Sequence, residues 1–310
     1  MKAVRFHRYG DSGVLAYEDA ERPVAGPGQV VLKVAGTSFN PVDAAIRVGY
    51  LQDVFPVDFP HVPGIDVAGT VVEVGTGVSG WTTGAAVVGF LPMNADGAAA
   101  QYVAVPAEVL AAAPTKVDLA DAAALPAVGL TAWQSLFDHA ELKAGQSILV
   151  NGAGGAVGGY AVQLAKRAGA LVTATASGRS ADRVRAYGAD RIVDYTAAPL
   201  TGALVGQQFD VVLNLVTTSP QETADLVDLV ADGGVLVSTT TPGPDDAGRG
   251  VRTVRVFARS DAARLADLVA LVDDGELRIQ VADRRPLADL AAVHDQAAAG
   301  RLPGKTVLTP

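Results

Sequence analysis

The residues best suited to chemistry form a glycine cluster, Asn151-Gly-Ala-Gly-Gly-Ala-Val-Gly158, directly after the apolar run Ile148-Leu149-Val150. Strict G-x-G-x-x-G spacing is not met, because Val157 stands where its last glycine belongs. Gly152, Gly155 and Gly158 instead repeat every third residue. Glycines so placed allow a tight strand-to-helix turn, admit a pyrophosphate close to the backbone and let the helix pack on its strand. The free amides at the start of that helix lie at its positive end, which suits phosphate oxygens, and Ala156, Val157 and Gly158 are the expected ligands there. A loop rich in glycine for packing alone is the competing explanation. The strand before and helix after give the motif its weight.

The next strand separates the two common dinucleotides. NAD sites usually carry Asp or Glu about 20 residues on, bonded to the ribose 2′-hydroxyl. Here that strand ends Thr175-Ala176-Ser177-Gly178-Arg179. A carboxylate would repel a 2′-phosphate, whereas a hydroxyl and a guanidinium bind one. NADPH is therefore the expected cofactor, with Ser177 and Arg179 as ligands. Arg183 and Arg185 either assist or are solvated helix charges, and Asp182 is a carboxylate close by.

These residues need a scaffold. Val30 to Ala35, Val67 to Val74 and Ala85 to Gly89 read as short strands among Gly and Pro turns, the pattern of a mostly antiparallel domain. A helical stretch, Asp121 to Ala140, leads into strand–helix alternation: strand Ser147 to Val150, helix Val157 to Ala168, strand Leu171 to Ala176, helix Arg179 to Tyr187. Strands at Arg191 to Asp194, Asp210 to Val216, Val235 to Thr239 and Arg252 to Phe257 continue it. Parallel pairs need crossovers, so this region predicts a doubly wound parallel sheet. Helix Ala262 to Asp273, strand Leu277 to Val281, helix Leu287 to Ala299 and strand Lys305 to Leu308 close the chain.

Composition narrows the class. A net charge of −9 over 310 residues disfavours a nucleic-acid partner, which needs a basic face. With no cysteine there are no disulfides, thiolate nucleophiles or cysteine-held zinc, and His7, His61, His139 and His294 show no metal-ligand spacing. The N-terminus has no apolar signal segment, and the most apolar run, Ile148 to Leu164, is too short to span a bilayer. A cytoplasmic protein without membrane contact is expected.

Beyond the glycine cluster, several motifs follow one another in a recognisable order. They are Asn40-Pro-Val-Asp43 with Arg47 and Gly49, Pro63-Gly-Ile-Asp-Val-Ala-Gly69 and Ala124-Leu-Pro-Ala-Val-Gly-Leu-Thr-Ala132. Tyr187-Gly-Ala-Asp190, Asp194-Tyr195 and Gly304-Lys-Thr-Val-Leu308 complete the set. In these the chain resembles, over essentially its whole length, the zinc-independent quinone oxidoreductase branch of the medium-chain dehydrogenase/reductase superfamily. The resemblance implies an α/β fold: a Rossmann-type domain, 123–258, inserted in a GroES-like catalytic domain made of 1–122 and 259–310.

It also implies site residues. Tyr195 would join Ser177 and Arg179 at the 2′-phosphate, Lys305 would reach the pyrophosphate, and Thr131 would lie beside the nicotinamide, with the loops at Leu215 and Thr239 passing near the ring. Zinc-dependent relatives place Cys, His and Cys where this chain has Asn40, Ile65 and Ala127, so no metal is expected. Without a Lewis acid, either hydrogen bonds polarise the acceptor or it is already electrophilic, as a quinone or an enone is. Asn40 either orients the acceptor carbonyl or shapes its loop. Tyr50 resembles the tyrosine that some enoyl reductases place near the substrate, although it directly follows Gly49 instead of standing one residue further on. A biosynthetic enoyl reductase and a non-catalytic NADPH-binding protein of the zeta-crystallin type are the alternatives. The family suggests a homodimer.

Overall fold

Short strands between turn glycines build the first part of the chain. In the computed structural model, which describes residues 1–310 except the side chain of Thr201, β1 (Lys2–Arg5) and β2 (Ala16–Asp19) form an antiparallel pair. β3 (Gln29–Ser38) is the spine of a larger sheet, and its alternate residues Val30, Leu32 and Val34 point into an apolar core. It is followed by α1 (Pro41–Val48), β4 (Asp66–Val74), β5 (Ala86–Phe90), β6 (Tyr102–Pro106), β7 (Leu110–Ala112) and the short α2 (Leu119–Ala122). Pro41 stands at the first turn of α1, and Gly49 ends it in the left-handed region with φ 86°.

The second part alternates as the sequence predicts. α3 (Pro126–Trp133) runs on into a π-helical stretch, Gln134–His139. Then come β8 (Ser147–Asn151), α4 (Ala156–Arg167), β9 (Leu171–Thr175), α5 (Gly178–Ala186), β10 (Arg191–Val193) and α6 (Leu200–Ala203). β11 (Phe209–Asn214), α7 (Pro220–Asp225), β12 (Val230–Ser238) and β13 (Arg252–Arg255) complete it. All six strands are parallel, in the order β10-β9-β8-β11-β12-β13. The winding direction reverses between β8 and β11, which is where such sheets bind ligands.

The closing segment holds α8 (Ala262–Asp273), β14 (Asp283–Pro286), α9 (Leu290–Ala298) and β15 (Thr306–Thr309). β15 pairs antiparallel with β3, so the two ends of the chain share one sheet. The strand expected at Leu277 to Val281 does not form. Gly275 turns the chain at the end of α8, and Leu277 is buried with its N–H bonded to the Leu271 carbonyl. Its apolar character serves as a core anchor, while Asp283–Pro286 pairs with β15.

The chain divides into two compact units, Met1–Ala127 with Ser260–Pro310 and Val128–Arg259. Among the described residues no helix is long and apolar enough to cross a membrane.

Candidate functional site

In the unit Val128–Arg259, the glycine cluster forms the turn from β8 to α4. Gly152 has φ +94°, a conformation that side chains rarely adopt. A Cβ on Gly158 would lie 2.3 Å from the Gly152 carbonyl oxygen and 2.5 Å from the Ala153 Cα, so only glycine allows the helix to start this close to the turn. Gly155 is the N-cap of α4 and has no side chain to cover the first-turn amides of Ala156, Val157 and Gly158. The turn is braced from outside, because Arg183 Nη2 donates to the Gly154 carbonyl at 2.7 Å. Arg183 is thus a structural tie, not the free helix charge its position suggested.

Ser177 and Tyr195 each lie two residues past the paired positions Thr175 and Val193, at adjacent strand ends. Ser177 is half-buried and makes no side-chain bond to the helix it caps, while Arg179 and Tyr195 are exposed. The Asp182 carboxylate turns away to its own helix, pairing with Arg185 at 2.7 Å. Asp194, the carboxylate beside Tyr195, accepts from the N–H and hydroxyl of Thr196. Together with the uncovered amides, Ser177, Arg179 and Tyr195 fit a dinucleotide that carries a 2′-phosphate. Leu215 and Thr239 follow β11 and β12, and their N–H groups bond the carbonyls of Asn151 and Asn214. Thr131 is half-buried on α3.

Sequence reasoning missed Asn151 and Asn214 as a pair. Both are buried at the ends of neighbouring parallel strands and are joined side chain to side chain at 2.9 Å. The signal was present: two apolar runs, Ile-Leu-Val and Val-Val-Leu, each close on an asparagine.

In the other unit, four residues form a buried polar cluster. Lys305 Nζ donates to Asn40 Oδ1 (2.7 Å), Asp66 Oδ2 (3.1 Å) and the Phe39 carbonyl (3.3 Å). Asn40 Nδ2 donates to Asp66 Oδ2 (2.8 Å) and, more weakly, to the Ser38 carbonyl (3.4 Å). Asp66 also accepts from the Ser38 hydroxyl (2.5 Å) and the Ala127 N–H (2.7 Å). Asp43 accepts from the N–H groups of Asn40, Gly64 and Ile65, tying the start of α1 to the Pro63-Gly64 turn. Burial, reinforced by the nearby Asp66 charge, raises the Asp43 carboxyl to about 7, against the pull of those amides.

Two of the expected site residues meet in this cluster. Lys305 directs its ammonium to the wholly buried Asp66, which needs a counter-charge. Asn40 is equally engaged: its oxygen accepts from Lys305 and its amide donates inward, so the loop-shaping role is the one the structure displays. Tyr50 is not gathered in either. It follows the far end of α1 from Asn40, about 12 Å of helix away, and is 87% exposed.

Of the positions that hold zinc in zinc-dependent relatives, Ile65 and Ala127 have no side-chain donor atom, and Asn40 is committed to Lys305. Among the described residues no group of three or more His, Asp or Glu side chains could hold a metal ion.

Comparison with known proteins agrees with this architecture. Residues 26–115 match the family described as alcohol dehydrogenase GroES-like domain, and residues 187–308 match the one described as zinc-binding dehydrogenase. The chloroplast envelope quinone oxidoreductase homolog of Arabidopsis thaliana is 34% identical, covering all of this chain and 98% of its own. The chloroplastic NADPH-dependent alkenal/one oxidoreductase of the same plant is 37% identical over 77% of this chain and 62% of its own. A mycobacterial protein solved in complex with NADPH superposes with a TM-score of 0.87, at 28% identity and full coverage of both chains. A GroES-like match on the antiparallel sheet and a dehydrogenase match that includes part of the doubly wound sheet define the class: the chain belongs to the medium-chain dehydrogenase/reductase superfamily. Within it, a likeness over essentially the full length of both chains is to a quinone oxidoreductase homologue.

Proposed function

We propose that this protein is a zinc-independent, NADPH-dependent reductase that passes hydride to a quinone or an activated alkene. The observation that carries the reading is the placement of Ser177 and Tyr195 just past paired strand ends, with Arg179 in the first turn of α5 and Asp182 paired with Arg185. The names of the relatives, a quinone oxidoreductase homolog and an alkenal/one oxidoreductase, support the two acceptor classes.

Bound at the glycine turn, NADPH supplies hydride from C4 of its nicotinamide ring. The amides of Ala156, Val157 and Gly158 hold the pyrophosphate, and Ser177, Arg179 and Tyr195 hold the 2′-phosphate. Catalysis is then mainly positioning of an acceptor that is already electrophilic. Lys305 donates to Asn40 and Asp66, and the Asn40 amide donates to Asp66, so the proton that follows the hydride comes from solvent. A homodimer and a cytoplasmic location complete the proposal, and light scattering on the purified protein tests the first.

The central test compares NADPH and NADH in wild type and Arg179→Ala, with a panel of quinones and enones as acceptors. Loss of the guanidinium should weaken NADPH binding roughly tenfold or more and leave NADH unchanged. Equal affinity for both cofactors in wild type would sink the cofactor assignment. Tight NADPH binding without turnover on any acceptor would favour a binding protein.

A further inference from the structure

Thr175, Asn151 and Asn214 occupy equivalent positions at the ends of β9, β8 and β11, with Ser238 next in line on β12. Their side chains make one directed line of hydrogen bonds. The Gly152 N–H donates to Thr175 Oγ1 (2.9 Å), whose own hydroxyl donates to Asn151 Oδ1 (3.0 Å). Asn151 Nδ2 donates to Asn214 Oδ1 (2.9 Å). Asn214 Nδ2 donates to the Val216 carbonyl (3.1 Å) and to Thr218 Oγ1 (3.2 Å).

The line begins at a main-chain N–H and ends at a main-chain carbonyl. A hydroxyl that accepts from Gly152 must give its proton onward, and each amide after it has a single workable orientation. All three side chains are buried, so no water can replace a lost link cheaply. At its far end the line continues into two loops: Thr240 Oγ1 donates to the Val216 carbonyl (2.9 Å) and Thr241 Oγ1 to the Thr218 carbonyl (2.5 Å). These are the loops after β11 and β12, across the reversal between β8 and β11 from the strands that lead to Ser177 and Tyr195, where the rest of a dinucleotide bound at the crevice extends.

We infer that Thr175, Asn151 and Asn214 are positioning residues that lock the glycine turn to the loops after β11 and β12, holding both halves of the NADPH site in one register. This rests on the NADPH reading of the turn. None of the three has to touch the cofactor.

Two probes separate the halves: NADPH, which spans the site, and adenosine 2′,5′-bisphosphate, which carries only the adenosine half. Calorimetry gives both affinities, steady-state kinetics give kcat and KM, and a single thermal transition confirms folding. Asn214→Leu should leave the bisphosphate affinity within about twofold, while the NADPH Kd rises roughly tenfold, as for one lost buried bond. The same variant should lower kcat. Thr175→Val should weaken both probes by roughly tenfold, and Thr175→Ser should restore them. Should Asn214→Leu not fold, Thr218→Val breaks the loop end of the line and gives the same contrast at roughly threefold.

Folded variants that bind NADPH as wild type does, or that weaken both probes equally wherever the line is cut, would overturn the inference alone. Wild type that fails to bind NADPH would overturn the proposed function together with it.

Discussion

In the unit Met1–Ala127 with Ser260–Pro310 the buried polar groups include an ion pair, Lys305 and Asp66 3.1 Å apart, with Asp43, raised to about 7, close by. In Val128–Arg259 the corresponding groups are neutral, the line from Thr175 through Asn151 to Asn214. The ionic cluster satisfies itself and offers a ligand little. The neutral line holds a turn whose outward amides, with Ser177 and Arg179, remain available to an anion. Charge in the first case stabilises one arrangement of the fold. In the second, the absence of buried charge leaves a phosphate as the strongest electrostatic partner for the turn.

The contrast is broken most forcefully by deleting one ion. Asp66→Ala should destabilise the protein by about 3–5 kcal/mol, because Lys305 is left buried and unpaired. A double change, Asp66→Leu with Lys305→Met, should recover much of that loss, as urea unfolding would register. Full loss in the double variant would mean that the other bonds of Asp66, not the charge pair, carry the stability.

Next in size is Gly158→Ala in the neutral unit. The added methyl meets the Gly152 carbonyl oxygen, so NADPH affinity should fall roughly a hundredfold while unfolding changes less than for Asp66→Ala. Cofactor titration beside a denaturation curve checks both halves of that statement.

The ionic unit should also show two opposing pH dependences. His294 is buried beside Arg47; its two ring nitrogens have no hydrogen-bond partner, and burial with the Arg47 charge lowers it to about 3, against a smaller pull from Asp295. The unfolded chain, with an ordinary histidine at 6.5, binds more protons below that pH, so this residue withdraws stability as pH falls from about 6.5. Asp43, raised to about 7 from 3.8, binds its proton in the folded state and withdraws stability as pH rises through that interval. Between about pH 4 and 6.5 the slopes oppose, each up to ~1.4 kcal/mol per pH unit. His294→Leu should therefore expose stability that falls with rising pH, and Asp43→Asn the reverse. Unfolding free energies at three pH values decide; parallel profiles for the two variants would contradict the assignment.

Arg185→Ala is the smallest perturbation. It breaks an exposed pair and should change stability by less than about 0.5 kcal/mol. By releasing Asp182 it should also lower the preference for NADPH over NADH by roughly twofold, a size expected for an exposed charge. A larger loss of preference would place Asp182 closer to the 2′-phosphate than its pairing with Arg185 suggests.

The parts legible in the sequence are those with local causes. The glycine turn, the helix after it and the strand–helix alternation each follow from a few adjacent residues. Ser177 could be placed at the turn from β9 into α5, and Arg179 in the first turn of α5, because both follow directly on an apolar strand. The tie of Lys305 to Asp66 could not be read, because the two are 239 residues apart and no local pattern links them. A carboxylate inside the apolar run Ile65-Asp-Val-Ala was still a hint that a cation must be found for it. Asn151 and Asn214 escaped notice because one neutral residue at a strand end breaks no periodicity. The misplaced strand near Leu277 shows the reverse error, an apolar run taken for a strand when its leucine only plugs the core.

The shared sheet of β3 and β15 has a consequence during synthesis. On a ribosome, Val128–Arg259 is complete once its own residues have emerged, whereas the sheet begun by β3 waits for β15. Until then Asp66 has no lysine and β3 lacks one neighbour. Stalled nascent chains ending before Thr306 should show a protease-resistant Val128–Arg259 beside a digestible N-terminal region; resistance of both would mean that β15 is dispensable for closure.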